Sequence, residues 1–399
     1  MMFLNYVVWG SWYVVIGTYL TLTLHFTGTQ TGAVFGTSAL ACMISPFFVG
    51  LIADRYFAAE RVLCALHLAG AVLLYLVSTA ASFPAVYLLM LAYCLCFFPT
   101  LALTNSLTLR NVNNPASDYP RIRLFATLGH IVINVIIGSL AMERSAKPFL
   151  ISAGASVVMG LYCLTLPHTP PKAKGAASSW RAAIGLDALV MMKDRSFAVF
   201  VIASVLACIP LTFYFSFTNA YLNDSGVINA AGKMTLGQVA EIVMMLLMPL
   251  IFRHLRLKSI LVLGLAAWSL RYAMLAFGNA GGRMWLFYGA ILLHGICFDF
   301  FFMTGQLYTD QQAPRHMRGT AQGLIMFLTY GLGMFLGSLL SGWTVDFFTT
   351  SQGRDWQAFW LTSSVCSFVI LLLLAVFFRS RGRIRSGQSG IEEEAVLAT

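Results

Sequence analysis

Apolar runs of about 20 residues, the length a helix needs to cross the hydrocarbon core, recur along the chain with short polar breaks between them. The pattern predicts twelve spans, at roughly 2–24, 32–53, 62–81, 84–109, 119–143, 148–166, 197–222, 233–253, 258–278, 284–309, 319–345 and 356–378. The expected fold class is therefore an all-α integral membrane protein with twelve transmembrane helices. The longest break, His168 to Ser196, follows the sixth span and is rich in Pro, Gly, Ser and basic residues. It divides the chain into an N-terminal six-helix bundle (1–166), a cytoplasmic linker (167–196), a C-terminal six-helix bundle (197–378) and a polar tail (379–399) too hydrophilic to pack and expected to be disordered. A two-bundle secondary transporter has this layout, and its substrate site lies near mid-membrane between the halves.

Composition agrees with that reading. Hydrophobic residues make up 59% of the 399 positions and charged residues 10%, against about 25% charged in a soluble domain. The start, MMFLNYVVWGSWYVV, lacks a basic leader region and a small-residue cleavage site, so it reads as the first span and not as a removed signal. All eight cysteines fall inside apolar runs, which argues against a disulfide framework or a metal site; no cofactor is implied.

The net charge of +10 reports topology and not nucleic-acid binding. With the N-terminus in the cytoplasm, eighteen of the 25 Lys and Arg fall on the cytoplasmic side. Five lie outside (Arg144, Lys147, Lys233, Arg283, Arg354), and Arg123 and Arg271 lie within spans. The positive-inside rule then puts both termini in the cytoplasm, as an even span count requires.

Charged residues inside spans carry the candidate chemistry, because each costs about 2.5–3.5 kcal/mol at the bilayer centre and persists where it meets a cavity or a partner. Arg123, Glu241, Arg271 and Asp299 are two bases and two acids. Arg123, Thr127 and His130 fall at i, i+4 and i+7 and share one face of the fifth span; they line a cavity, or Arg123 snorkels to the membrane surface. Gln238 and Glu241 are i, i+3 neighbours on the eighth span, either suited to substrate hydroxyls or part of a structural ion pair. Arg271 reads as structural, its expected partner an acid on a neighbouring helix such as Asp299. His67 reads as a packing histidine, while His294, one turn before Phe298, suits either packing or a cavity wall. On the seventh span Pro210 interrupts the helical ladder and Thr212, Phe215 and Asn219 follow at i, i+3, i+7, which suits a flat polar ligand or plain aromatic packing. GLGMFLGSLLSG in the eleventh span reads as a helix-contact seam of small residues.

The break after the second span, GLIADRYFAAER, is similar to the loop motif of the major facilitator superfamily at Gly50, Asp54, Arg55 and Arg61, with the second glycine of the pattern replaced. More specifically, LNYVVWGSWYVVIGTYL, GLIADRYFAAERVL, FFPTLALTNSL, DYPRIRLFATLG, LTLPHTP with GLDAL, QVAEI, AAWSLRYAMLAFG, GICFDFF and GTAQGL, in this order, together resemble the bacterial nucleoside:proton symporter family of that superfamily. The resemblance implies a two-bundle fold in the bacterial cytoplasmic membrane, working as a monomer among lipid and importing nucleosides with protons by alternating access. It implies that Arg123 and Thr127 contact the nucleoside from one half and Gln238, Glu241 and Phe298 from the other. Glu241 and Asp299 would be the protonatable groups, since burial disfavours the charged form of a carboxylate, and Asp54 and Arg55 would latch conformations. Three departures bear on substrate preference: His130 replaces an aromatic, Thr212 and Phe215 replace Gln and Asn, and His294 stands where a tyrosine is expected. The alternative within the fold is a proton-coupled sugar or drug carrier. An enzyme is not expected, because no nucleophile, base and orienting group converge.

Overall fold

The computed structural model describes residues 1–48, 56–170 and 185–379. The expected latch residues Asp54 and Arg55, most of the linker and the tail from 380 onward lie outside the described residues.

Hydrocarbon supplies no partner for backbone N–H and C=O groups, so each span must satisfy its own as a helix. α1 begins as Met2–Tyr13, breaks at Val14 and Val15, and resumes through Ile16–Thr18 and a π-helical turn, Tyr19–Thr23. α2 is Gly28–Phe48, α3 Ala59–Thr79, α4 Phe83–Asn111, α5 Pro115–Ser139 and α6 Lys147–Cys163. Then follow α7 (Arg195–Asp224), α8 (Ala230–His254), α9 (Leu257–Phe277), α10 (Met284–Gln312), α11 (Arg315–Phe347) and α12 (Trp356–Phe377). Each predicted span coincides with one of these helices, within four residues at every described end. Among the described residues nine of them, α3 to α5 and α7 to α12, are individually long and apolar enough to cross a membrane, whereas α6 is shorter. Local chemistry sets several starts: the Asp194 and Asp355 carboxylates accept the N–H of Phe197 (2.7 Å) and Ala358 (3.0 Å), the usual N-cap arrangement.

Two buried clusters form the main cores. One runs from Val8 to Ala153 and the other from Phe197 to Phe378. Large apolar side chains such as Val72, Leu88, Leu246 and Val376 face outward, as lipid contact requires.

Met1 and Arg379, the first and last described residues, are each tied to neighbouring helix ends. Met1 and Leu4 pack with Leu63, Leu107 and Cys163, and Ser196 Oγ donates to the Arg379 carbonyl at 2.9 Å. One part of the expected break is itself ordered: Leu186–Lys193 is a 3-10 helix whose Ala188 is buried with Ala313, Ala321 and Leu324. Gly185 enters it at φ +78°, and a Cβ there would meet the Leu324 backbone nitrogen at 2.6 Å, so glycine is required on both counts.

At the end opposite Met1 and Arg379 the two halves close on each other. Glu143, after α5, accepts the Ala231 N–H at 2.9 Å and the Asn223 amide. Asp346, on α11, accepts the N–H groups of Gly28 (2.6 Å) and Thr29 (2.7 Å) and the Thr29 hydroxyl (2.6 Å). Thr18 bonds Asn219, and Arg144 Nη2 donates to the Asn223 carbonyl at 2.8 Å. The expected α11 seam is a true helix contact: a Cβ on Gly337 would meet Ile209 Cα at 2.9 Å, and one on Gly342 would meet Thr29 Cα at 3.0 Å.

Candidate functional site

The polar face of α5 meets α1. The Arg123 guanidinium carbon lies 4.9 Å from the centre of the Tyr6 ring, and the His130 ring is 6.1 Å from Trp9. Arg123, Thr127 and His130 are all half-buried. One turn further, Asn134 extends the same face to i+11; its amide donates to the His130 carbonyl at 2.9 Å while its Oδ1, fully buried, has no partner among the described residues. The period that grouped the first three residues would have found Asn134.

From the other half, α8 presents Gln238 and Glu241, both half-buried, with about 34% of the Glu241 side chain exposed. Arg123 is within electrostatic reach of Glu241, so a cation on α5 of one half and an acid on α8 of the other lie in one region. Phe215 bridges the halves as well, its ring 6.0 Å from Tyr13 and 6.4 Å from His294. Thr212 turns away. Its hydroxyl donates to the Cys208 carbonyl at 2.7 Å, and it stands where a Cβ on Gly337 would come within 2.8 Å. Asn219, on the same stripe, is engaged by Thr18. His67 packs as expected, its Nδ1 3.1 Å from Ser156 Oγ.

The stretch HGICFDFFF on α10 is not one continuous α-helix. The helix breaks at Leu293, resumes as His294–Phe298 and widens into a π-helical turn, Asp299–Met303. Such turns re-aim side chains and recur at functional sites. His294 and Asp299 are buried and Phe298 is half-exposed, its ring 5.9 Å from His294. The expected pairing of Arg271 with Asp299 is not formed. Arg271 instead points Nη1 at His294 Nδ1, 3.0 Å away, with its guanidinium 3.4 Å above the Tyr214 ring. His294, just past the break at Leu293, takes the place against Arg271, and Asp299, five residues on, keeps one buried carboxylate oxygen with no hydrogen-bond partner among the described residues. His294 Nε2 lies 3.7 Å from Glu241 Oε2, and Glu241 is the acid within electrostatic reach of Asp299. Arg271, His294 and Asp299, all buried, and the half-buried Glu241 thus form one polar cluster in the region of Arg123.

Comparison with known proteins gives this cluster a setting. The family described as "Nucleoside H+ symporter" matches residues 1–383. YegT of Escherichia coli K12 is 37% identical over 394 residues, covering 95% of this chain and 92% of its own, and the xanthosine permease of the same organism is 33% identical over 393 residues, covering 95% and 93%. The crystal structure of the nucleoside transporter NupG superposes with a TM-score of 0.88 at 29% identity, over 95% of this chain and 98% of that one. With the family match running through nearly all of its length, the chain belongs to the nucleoside H+ symporter family and is a proton-coupled nucleoside transporter of the bacterial inner membrane.

Proposed function

We propose that the nucleoside is carried inward in the space between an N-terminal bundle (1–166) and a C-terminal bundle (197–378), working as a monomer surrounded by lipid. The observation that carries this reading is that Arg123 and Glu241, one from each half, lie within electrostatic reach of each other. Thr127 and His130 extend the polar wall on α5; Gln238, His294 and Phe298 extend it on α8 and α10. Ribose hydroxyls donate and accept, and base edges do the same, so amide, carboxylate and imidazole groups answer them. The half-exposed rings of Phe215 and Phe298 offer a base flat faces to stack on. Thr212 takes part only through the position of α7.

Glu241 and Asp299 are the groups that take the proton. An uncompensated buried charge is costly, and two acids in mutual reach resist being ionised together. A proton on either acid ends their mutual repulsion, and one on Glu241 also removes its attraction for Arg123 on the other half. Substrate and proton together therefore change what holds the halves against each other, which is the requirement for coupling: a ligand shifts a conformational equilibrium only through its differential interaction with the two states. In the structure described here the end opposite Met1 and Arg379 is closed by Glu143, Asp346 and Thr18, so reopening it is the step by which a new nucleoside enters.

The test is uptake of labelled uridine or adenosine into proteoliposomes. Uptake is expected to rise with an inward proton gradient and to lose that dependence in Asp299→Asn or Glu241→Gln. Uptake indifferent to the gradient in the native protein would refute the coupling, and gradient dependence surviving both substitutions would refute the assignment of the acids.

A further inference from the structure

We propose that His294 is a positioning residue for Glu241, held by Arg271 as a neutral imidazole whose single proton sits on Nε2, the nitrogen turned toward Glu241. This inference rests on the reading that Glu241 takes part in proton coupling.

The argument begins with donor and acceptor counting. A guanidinium only donates hydrogen bonds. Arg271 Nη1 is 3.0 Å from His294 Nδ1, so Nδ1 must accept, and the ring's remaining proton belongs to Nε2. That nitrogen is 3.7 Å from Glu241 Oε2, longer than a hydrogen bond but close enough for the N–H dipole to act on the carboxylate and to bond it after a shift of well under 1 Å. Moving the proton to Nδ1, or adding a second one there, would set a donor against a donor.

The surroundings make that alternative expensive. Arg271 is fully buried, and its Nε and Nη2 have no hydrogen-bond partner among the described residues. Its guanidinium bonds His294, with the Cys297 thiol also within its reach, and the Tyr214 face lies 3.4 Å away. Burial away from water strengthens a contact of that second kind. Tyr214 also lies nearly parallel to the imidazole, at 20° and 5.8 Å, so the tyrosine fixes both groups. The titratable or charged groups that act on the imidazole are Arg271 from α9, Glu241 from α8, Tyr214 from α7 and His130 from α5. Glu241 is the acid among them. The outcome is a chain from Arg271 through His294 to Glu241 in which the histidine keeps its own proton and biases the carboxylate toward its charged form, since a hydrogen-bond donor favours ionisation of the acid it faces.

Two measurements on the full chain test this. The first is nitrogen NMR of protein carrying ¹⁵N-histidine, with the His294 signals identified by their loss in His294→Gln. The expected signature is a protonated Nε2 and an unprotonated Nδ1, unchanged between about pH 5 and 8, where an ordinary histidine changes charge. A proton on Nδ1, or a ring that becomes cationic in that range, overturns the proposal. The second is the pH profile of nucleoside uptake in His294→Phe, which keeps a flat ring against Tyr214 and lacks the donor, and in His294→Gln, which retains one. Without the donor Glu241 takes its proton at higher pH, so the alkaline decline of uptake should move upward by about half a pH unit in His294→Phe and by less in His294→Gln. Uptake lowered equally at every pH, with no movement of the decline, would reduce His294 to a packing role. Should His294→Phe fail to fold, the NMR signature and the His294→Gln profile still decide. A native protein that ignores the proton gradient would sink the coupling reading alone, leaving the tautomer measurement to stand or fall separately.

Discussion

The Glu143 carboxylate, on the loop after α5, accepts the backbone N–H of Ala231 at 2.9 Å in the first turn of α8. Asp346 does the same at the start of α2, where it accepts from Gly28 and Thr29. The two contacts are counterparts: in each, an acid at the end of one half's helix caps a helix N-terminus of the other half. Helix N-termini attract negative charge through their unpaired N–H groups and the helix dipole, so the closed end is held by two charge-assisted caps.

Neutralising the caps should therefore favour opening. Hydrogen bonds to a charged group contribute about 1.5–3 kcal/mol, and 1.4 kcal/mol is about tenfold in an equilibrium. The combined variant Glu143→Gln with Asp346→Asn is expected to raise the labelling rate of a Ser216→Cys reporter by about tenfold or more. Ser216 is buried and its hydroxyl has no hydrogen-bond partner among the described residues, so the reporter itself removes no described hydrogen bond. The measurement uses an impermeant thiol reagent applied from the side opposite Met1 and Arg379, in a chain whose native cysteines have been replaced. An unchanged rate would show that the caps do not hold the closed end.

A second prediction concerns the spacing of α8 and α10. A Cβ on Gly295 would stand 2.6 Å from the Ala240 carbonyl carbon and 2.8 Å from the Glu241 nitrogen, so Gly295→Ala must push the two helices apart beside the His294–Glu241 contact. Overpacking of this kind costs about 1–3 kcal/mol. The expected result is a lower thermal midpoint together with weaker nucleoside binding. Gly154→Ala on α6 is the control: nothing lies within 4 Å of its added Cβ, and it should leave binding unchanged and stability equal or slightly higher. Equal behaviour of the two variants would count against tight α8–α10 packing as the support of the site.

The helices and their order were legible in the sequence because lipid leaves the backbone one solution per apolar run. The charged residues within spans were equally visible, and Arg123, Glu241, His294 and Asp299 do gather in one region. What periodicity could not reveal was direction. Thr212 and Phe215 are three apart on α7, yet one turns into the α11 seam and the other toward His294. The exchange of partners at Arg271, histidine in place of aspartate, sits beside a helix break at Leu293 that has no proline or glycine at that position to announce it. Nothing in the sequence singles out Glu143 and Asp346, because the N–H groups they cap lie 88 and 318 residues away in the chain.

The freedom of Asp299 from Arg271 has a thermodynamic consequence. With no shared hydrogen bond between them, Asp299→Asn removes a buried charge without stranding a partner, unlike the loss of about 3–5 kcal/mol that follows when a true buried pair is broken. Asp299→Asn should fold with an equal or higher thermal midpoint while losing gradient-driven uptake. Combined with Arg271→Gln, its stability effect should add to within about 0.5 kcal/mol, as for uncoupled sites. A large favourable coupling in that cycle would restore the ion pair that the geometry rejects.

Arg123 offers the last separation, between charge and shape. Its guanidinium carbon sits 4.9 Å from the centre of the Tyr6 ring, an arrangement that orients a planar cation with its donors directed along the plane. Lysine keeps the charge, and can still approach the ring as a point cation, but has neither a plane to lay against it nor two parallel donors. Arg123→Lys is therefore expected to weaken nucleoside binding by about tenfold. Tyr6→Phe keeps the ring face and gives up the hydroxyl that also meets Arg123, so it should lose less than removal of the whole ring. Tyr6→Leu removes that face and should lose about two- to fivefold, the equivalent of about 0.5–1 kcal/mol for a cation–π contact near solvent. Binding is read by ligand-induced thermal shift against uridine and adenosine. If Arg123→Lys binds like the native chain while Arg123→Gln does not, charge alone is what the nucleoside site takes from Arg123, and the Tyr6 ring has no part in recognition.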